Sequence, residues 1–211
     1  MIVFTAAEKQ LIASLSVAGG WDDTQANPLK AKIKPHLLAQ TANCCCYCRR
    51  SMHQWYAMTI DIEHVLPKGN GKFPQFTFEV KNLSVSCKRC NMGIKRSDTS
   101  FYIGAADEAD PFKSEHYTFI HPNLDVTDDH LGFLSVQYNG KLMVKYQVVN
   151  ASMKGSATYE YFELRKLETN SFDEAQGLDD VAPSESLPPE LAQELRTVLN
   201  SIEGVELGPN N

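Results

Sequence analysis

The sequence of 211 residues contains no apolar run that approaches the roughly eighteen residues of a transmembrane helix. Its first twenty residues also lack the basic start, long apolar stretch and small-residue cleavage site of a secretory signal peptide. These absences argue against a membrane-spanning or secreted protein. We therefore expect a soluble, cytoplasmic protein with no membrane partner.

Positive charge is scarce overall, because 20 Lys and Arg stand against 26 Asp and Glu and give a net charge of −6. The charge is unevenly distributed: residues 45–96 hold nine bases and three acids, a net of +6, whereas residues 168–211 hold ten acids and one Arg. A local excess of cations is what contact with a nucleic-acid backbone requires. Cations also balance the negative charge of clustered thiolates. That role would account for the presence of Lys88 and Arg89 next to the cysteines, but not for Lys68 or Lys72.

Four of the six cysteines form two Cys-x-x-Cys pairs. They are Cys45, Cys48, Cys87 and Cys90. Two such pairs on either side of a long loop can place four thiolates around one tetrahedral ion, so we predict a structural zinc with no open coordination position. Disulfides are disfavoured because no secretory signal is present. Cys44 or Cys46 could replace Cys45, but only Cys45 leaves a two-residue gap to Cys48. We expect Cys44 and Cys46 to be small buried side chains.

An acid and a histidine lie side by side between the two cysteine pairs. Residues 58–65 partly alternate apolar and polar side chains, which predicts a short strand with Ile60 and Ile62 on its buried face. His64, at the end of this strand, suits proton transfer from water because its unperturbed pKa is close to physiological pH. The adjacent carboxylate of Glu63 is a hard oxygen ligand of the kind that Mg²⁺ prefers.

Residues 45–95 together resemble the HNH (ββα-metal) endonucleases. In that family a strand ends in an acid-His or His-His pair, and an Asn begins the second strand. A His or Asn after a Cys-x-x-Cys pair then begins a short helix, with Lys four residues later. The matching residues here are Glu63, His64, Asn82, Asn91 and Lys95. The resemblance implies an α+β fold with a ββα-metal core and hydrolysis of DNA phosphodiester bonds with low sequence specificity.

Carried over residue by residue, the resemblance implies that His64 is the general base and that Glu63 and Asn91 hold one Mg²⁺ or Mn²⁺ ion. Asn82 would brace the loop that carries His64, and Asp61 is the reserve metal ligand. Neighbouring residues on a regular strand point to opposite faces, so Glu63 and His64 share one site only if the strand breaks or bulges there. The residues expected to contact nucleic acid are Lys68, Lys72, Lys95 and Arg96.

We divide the chain into four parts. They are an N-terminal helical unit (1–43), the zinc and nuclease core (44–100), an accessory hairpin-helix region (101–169) and an acidic linker with an amphipathic helix (170–211). In the first part, Thr5 and Glu8 predict a capping box for a helix over 5–17, and a helix over 29–41 should kink or split at Pro35.

In the third part, Asn139-Gly140 predicts a hairpin between strands 133–138 and 141–146, followed by a helix over 157–167. Five residues in the connection that precedes it suggest either a second metal cluster or solvated turns. They are His121, Asp125, Asp128, Asp129 and His130. The aromatic stretch 73–80 suggests either stacking on bases or a hydrophobic lid over the zinc fold.

The layout beyond the core more weakly resembles the HNH nuclease subunits of Septu-type and retron-associated anti-phage systems. That resemblance implies an ATPase partner, for which the amphipathic helix 188–203 is a candidate contact; the same helix could pack on its own domain. Two other functions remain open: a zinc-ribbon module that binds nucleic acid without cutting it, and an HNH enzyme that cleaves RNA.

Overall fold

The computed structural model describes residues 2–18, 20–105, 108–138 and 141–169. Its helices are α1 (Ala6–Ala18), α2 (Asn27–Gln40) and α3 (Met153–Tyr161), and a π-helix spans Arg89–Lys95. Its strands are β1 (Ile60–His64), β2 (Leu83–Cys87), β3 (Leu131–Tyr138) and β4 (Lys141–Val148). This mixture of helices and small antiparallel sheets confirms the predicted α+β class. The predicted acidic linker and the helix 188–203 lie outside the described residues.

The N-terminal helices begin and continue for identifiable reasons. The capping box of α1 is present: the Thr5 amide donates to Glu8 Oε2 at 2.7 Å, and the Glu8 amide donates to Thr5 Oγ1 at 3.2 Å. The sequence predicted that Pro35 would kink or split this helix; α2 is not split, because it runs through Pro35 as one helix. Buried Ile33 and Leu37 hold the helix against the core on both sides of the proline, and this packing outweighs the lost hydrogen bond.

Strands β1 and β2 form an antiparallel hairpin at the centre of the molecule. Their register is one to one, from Ile60 opposite Cys87 to His64 opposite Leu83. All five residues of β2 are buried, since α2 contacts this strand and the π-helix follows it directly. The Cys46 amide donates to the Val85 carbonyl at 3.0 Å and so fixes the first cysteine pair beside β2.

The second hairpin pairs β3 with β4 and ends with Tyr138 opposite Lys141. This confirms the predicted strand pairing; the two turn residues between them lie outside the described residues. Helix α3 starts four residues earlier than predicted because Ser152 caps it, with its hydroxyl oxygen accepting from the Gly155 amide at 3.0 Å. Gly155 is required there, since an added Cβ would collide with the His130 carbonyl.

The C-terminal part packs on the cysteine-rich part through aromatic rings and backbone contacts. Tyr47 stacks on Phe162 with ring centroids 4.1 Å apart. The Tyr146 hydroxyl donates to the Cys48 carbonyl at 2.6 Å, and the Arg89 guanidinium donates to the Phe162 carbonyl at 2.9 Å. No helix among the described residues has both the length and the apolar character needed to cross a bilayer.

Candidate metal centre and active site

The four cysteines of the two Cys-x-x-Cys pairs converge on one point. Their Sγ atoms all lie within 4.8 Å of one another, and all four residues are buried. Tetrahedral zinc with Zn–S bonds of about 2.3 Å holds its sulfurs about 3.8 Å apart, and the distance between the Sγ atoms of Cys48 and Cys87 is 3.9 Å. The donor set and its spacing therefore fit a closed structural zinc, and the predicted grouping is confirmed.

The remaining two cysteines lie outside this cluster, and all six thiols are free of disulfide bonds. Cys46 is buried as expected. Cys44 is partly exposed, and its Sγ lies 3.6 Å from the Ala42 carbonyl, so the expectation that it is buried is wrong. Its backbone bridges to Ser51 at the edge of the loop, which leaves its side chain at the surface.

The carboxylate of Glu63 is committed to a buried network. It lies 2.8 Å from Lys95 Nζ, and both side chains are completely buried. Tyr47 donates to Glu63 Oε1 at 2.9 Å. Burial raises the pKa of Glu63, and the nearby Lys95 and Tyr47 partly counteract that rise. In this arrangement Glu63 does not fit a metal ligand, and the expectation that Lys95 contacts phosphate is corrected, because its ammonium is not at the surface.

A second polar pair on the same face of β1, Asp61 and Asn91, is only partly buried. Asn91, at the start of the π-helix, donates from Nδ2 to Asp61 Oδ2 at 3.0 Å. Lys88 Nζ lies 2.5 Å from Asp61 Oδ1, and its own side chain is half exposed. A carboxylate and an amide whose oxygen can turn toward the same point are suitable Mg²⁺ ligands. The reserve ligand Asp61, rather than Glu63, therefore fits an ion held together with Asn91.

His64 lies on the opposite face of β1 and is covered. Its Nε2 is 3.0 Å from the Thr77 carbonyl oxygen, and the Trp21 ring packs edge-on against the imidazole with centroids 4.4 Å apart. Only 7% of the residue remains exposed. Burial lowers the pKa of His64 to about 3, so the imidazole is neutral near physiological pH.

The loop that follows His64 is clamped by Asn82. The Asn82 side chain accepts from the Leu66 amide at 2.7 Å and donates to the carbonyls of Leu66 and Phe76, each at 3.0 Å. The Val65 amide also donates to the Asn82 carbonyl at 2.9 Å. One buried amide thus ties the end of β1 to the segment that carries Thr77.

Glu63 and His64 are not brought together. The unbroken register of β1 with β2 leaves no bulge at this position, so the two side chains point to opposite faces. Glu63 contacts Tyr47 and Lys95, whereas His64 contacts Trp21 and Thr77. The sequence did not reveal that Tyr47 is a partner of Glu63. The available signal was its position between Cys45 and Cys48, since zinc binding by these two residues places its backbone close to β2.

Of the other cations expected to contact nucleic acid, Lys72 and Arg96 are exposed. Lys68 is about one-third exposed and pairs with Asp22 at 2.6 Å, next to Trp21. The aromatic stretch 73–80 forms a lid, as its buried rings show. Phe73 and Phe78 are almost fully buried, and Phe78 packs on Trp21 with centroids 5.2 Å apart.

The acids and histidines between residues 121 and 130 do not form a second metal cluster. Asp125 accepts from Lys154 Nζ and from the His121 amide, each at 2.7 Å, and from the Ser114 hydroxyl at 2.5 Å. These donors occupy the carboxylate in a loop-stabilising network. Within the described residues, the four cysteines alone form a group with the geometry of a metal site.

The chain is similar to one curated protein, the Septu protein PtuB of Bacillus thuringiensis. The two are 28% identical over 139 residues, which is 66% of this chain and 43% of that protein. The matched part therefore spans less than half the length of the relative. No family model matches the chain, and no solved structure matches it.

Proposed function

We propose that the protein is a metal-dependent HNH endonuclease that hydrolyses DNA phosphodiester bonds as part of a bacterial anti-phage defence system. A structural zinc on the four cysteines would hold the β1–β2 hairpin. The similarity to a Septu protein supports the defence role, and an ATPase partner for the chain is part of this proposal. The basic charge of residues 45–96 supports a nucleic-acid substrate.

The tautomer of His64 is the observation that supports its assignment as the general base. A carbonyl oxygen can only accept a hydrogen bond, so the contact with Thr77 requires the proton of the neutral ring to be on Nε2. The lone pair of Nδ1 is then the one that can take a proton from water, which is the task of a general base. Because burial lowers the pKa of His64 to about 3, the ring would become an effective base only when it is uncovered and its pKa rises toward the ordinary value. Asn82 holds the loop that presents this tautomer, a positioning role.

The catalytic ion is assigned to Asp61 and Asn91. When bound there, Mg²⁺ or Mn²⁺ would stabilise the charge that develops on the leaving oxygen. Lys88 would give up its contact with Asp61 Oδ1. The buried pair of Glu63 and Lys95 would hold β1 against the π-helix, so that Asp61 and Asn91 stay adjacent.

We propose that the structure has the active site in a closed, inactive state, because His64 faces away from Asp61 and is covered by Trp21. Cleavage then requires movement at the His64 end of β1. The covering segment is held there by the buried Trp21 ring, which packs on His64 and Phe78, and by the surface ion pair of Asp22 with Lys68, a type of contact that contributes only about 0–1 kcal/mol. Most of the cost of opening is therefore the exposure of Trp21, and the binding of a DNA strand or a partner protein would have to supply it. The enzyme would thus stay silent until it is engaged.

A second candidate function is a zinc module that binds nucleic acid without cutting it. The observation in its favour is that Glu63 and His64 serve opposite faces. Incubation of the full-length chain with DNA and RNA of the same sequence, with and without Mg²⁺, separates the possibilities. We expect Mg²⁺-dependent cleavage of DNA. Cleavage of RNA alone would indicate a ribonuclease, and binding without cleavage would indicate the zinc module.

Asn91→Ala and Asp61→Asn are each expected to slow DNA cleavage and to raise the Mg²⁺ concentration needed for half-maximal rate. Each change removes one oxygen from the proposed ion site, and loss of groups around a metal costs about 10- to 100-fold. The measurement is initial rate against Mg²⁺ concentration, with Ser100→Ala as an exposed control. If both variants keep the wild-type Mg²⁺ dependence, the ion is not held by this pair.

A further inference from the structure

An exposed aromatic turn precedes β1 and is not used by the proposed chemistry. We call residues 54–58 the aromatic turn. Within it Trp55 is 42% exposed, Tyr56 83% and Met58 81%. Three large apolar side chains this open in five residues are unusual on a monomer and indicate a binding surface. Most of the other large rings of the described residues are buried or pack against the core.

The turn is held in place although its side chains are open. Lys34 of α2 donates from Nζ to the carbonyls of Ala57 and Ile60, each at 2.5 Å. The Thr59 hydroxyl donates to the Tyr56 carbonyl at 2.7 Å. Because these hydrogen bonds already hold the backbone of the turn, binding of a ligand to the exposed rings costs little backbone entropy.

The turn lies beside the Asp61–Asn91 pair. It leads directly into β1, and Lys88 Nζ contacts both Asp61 Oδ1, at 2.5 Å, and the sulfur of Met92, at 3.7 Å. Met92 follows Asn91 on the π-helix and is 60% exposed.

The charge around the turn favours an anionic partner. Residues 51–60 contain no acid, Lys34 lies against their backbone, and Arg49 and Arg50 precede them, with Arg49 already paired with Asp128 at 3.8 Å. Asp61, the nearest acid in sequence, is already paired with Lys88. A protein-docking patch needs apolar area but not this excess of cations, whereas single-stranded nucleic acid is bound by aromatic rings beside positive charge.

We propose that the aromatic turn is a platform on which unpaired DNA bases stack, with Trp55 and Tyr56 as the stacking rings and Met58 and Met92 at its edge. Stacking there would hold a strand with its backbone beside Asp61 and Asn91. The proposal identifies the substrate of the nuclease as DNA with unpaired bases, such as a single strand or an opened duplex. This identification of the substrate rests on the proposed function. Stacking tolerates any base, which agrees with low sequence specificity.

The test is binding of a fluorescein-labelled oligo(dT) strand, and of a duplex, to the full chain without added Mg²⁺ or Mn²⁺. Stacking on one ring is worth a factor of about 5 to 150 in affinity. We therefore expect Trp55→Ala combined with Tyr56→Ala to weaken single-strand binding about tenfold or more, and duplex binding less. Trp55→Phe should retain most of the affinity, and the exposed control Val126→Ala should bind as wild type.

A second readout reports the contact itself. The chain has two tryptophans, so Trp21→Phe leaves Trp55 as the only one, and oligo(dT) should quench its fluorescence. If the double variant binds oligo(dT) as tightly as wild type and oligo(dT) leaves Trp55 fluorescence unquenched, the platform is overturned. Loss of binding to a protein partner by the same variant would then identify the turn as a protein-docking surface.

Because binding is measured without cleavage, the two proposals fail separately. If wild type cleaves and the double variant binds and cleaves equally well, the platform is overturned and the nuclease stands. If the double variant loses binding and the wild type cleaves DNA with neither Mg²⁺ nor Mn²⁺, the platform stands and the nuclease fails.

Discussion

Replacing Cys48 or Cys90 with Ser is expected to abolish zinc binding and to unfold the β1–β2 hairpin with its π-helix. The two cysteines come from opposite ends of this unit, one before β1 and one after β2. Structural zinc supplies about 10–16 kcal/mol of binding free energy in small zinc domains, which is comparable to the whole stability of a typical domain, about 5–15 kcal/mol. Elemental analysis and protease resistance measure the two losses.

Cys44→Ser is the matched control, because Cys44 belongs to the same cysteine run but lies outside the cluster. We expect this variant and the wild type to bind one zinc per chain and to resist protease equally. A wild-type chain that purifies without zinc, or a Cys48→Ser chain that keeps its full zinc content, would contradict the assignment.

Lys95→Met is expected to destabilise the fold by about 3–5 kcal/mol, since it leaves the buried carboxylate of Glu63 without its cation. Tyr47 and Ser86 still donate hydrogen bonds to Glu63, at 2.9 Å and 3.5 Å, but two neutral donors do not balance a buried charge. Urea unfolding of the zinc-loaded protein, followed by circular dichroism, measures the effect.

Two further variants separate the charge from the lost packing. Adding Glu63→Gln to Lys95→Met removes the stranded charge and should restore part of the stability. Lys88→Met breaks the more exposed ion pair with Asp61 and should cost about 1 kcal/mol or less. Equal losses for Lys95→Met and Lys88→Met would show that the buried pair does not stabilise β1 against the π-helix.

The sequence was most informative where the chemistry depends on short spacings. The two Cys-x-x-Cys pairs each constrain their own geometry, and the preference of one zinc ion for four thiolates predicted that they meet. The capping box at Thr5 and the pairing of Tyr138 with Lys141 were predictable for the same reason. The capping box, the hairpin turn and each cysteine pair are decided by residues fewer than five positions apart.

The parts that the sequence did not predict depend on contacts between distant segments. Glu63 was expected to be a metal ligand, yet it is buried by Tyr47, sixteen residues before it, and by Lys95, in the π-helix. The cover over His64 comes from Trp21, which precedes α2. An acid-His doublet specifies neither partner, because the side that each residue faces is set by how the elements pack.

The account rests most directly on His64, and the deciding measurement is cleavage of supercoiled plasmid by wild type and His64→Ala. Both proteins are brought to equal zinc content by elemental analysis and assayed with Mg²⁺, with Mn²⁺ and with both ions omitted. A general base contributes about 10²- to 10⁴-fold, so we expect wild type to cut only with added metal and His64→Ala to be slower by that factor. A His64→Ala protein that cuts as fast as wild type would contradict the assignment of the base.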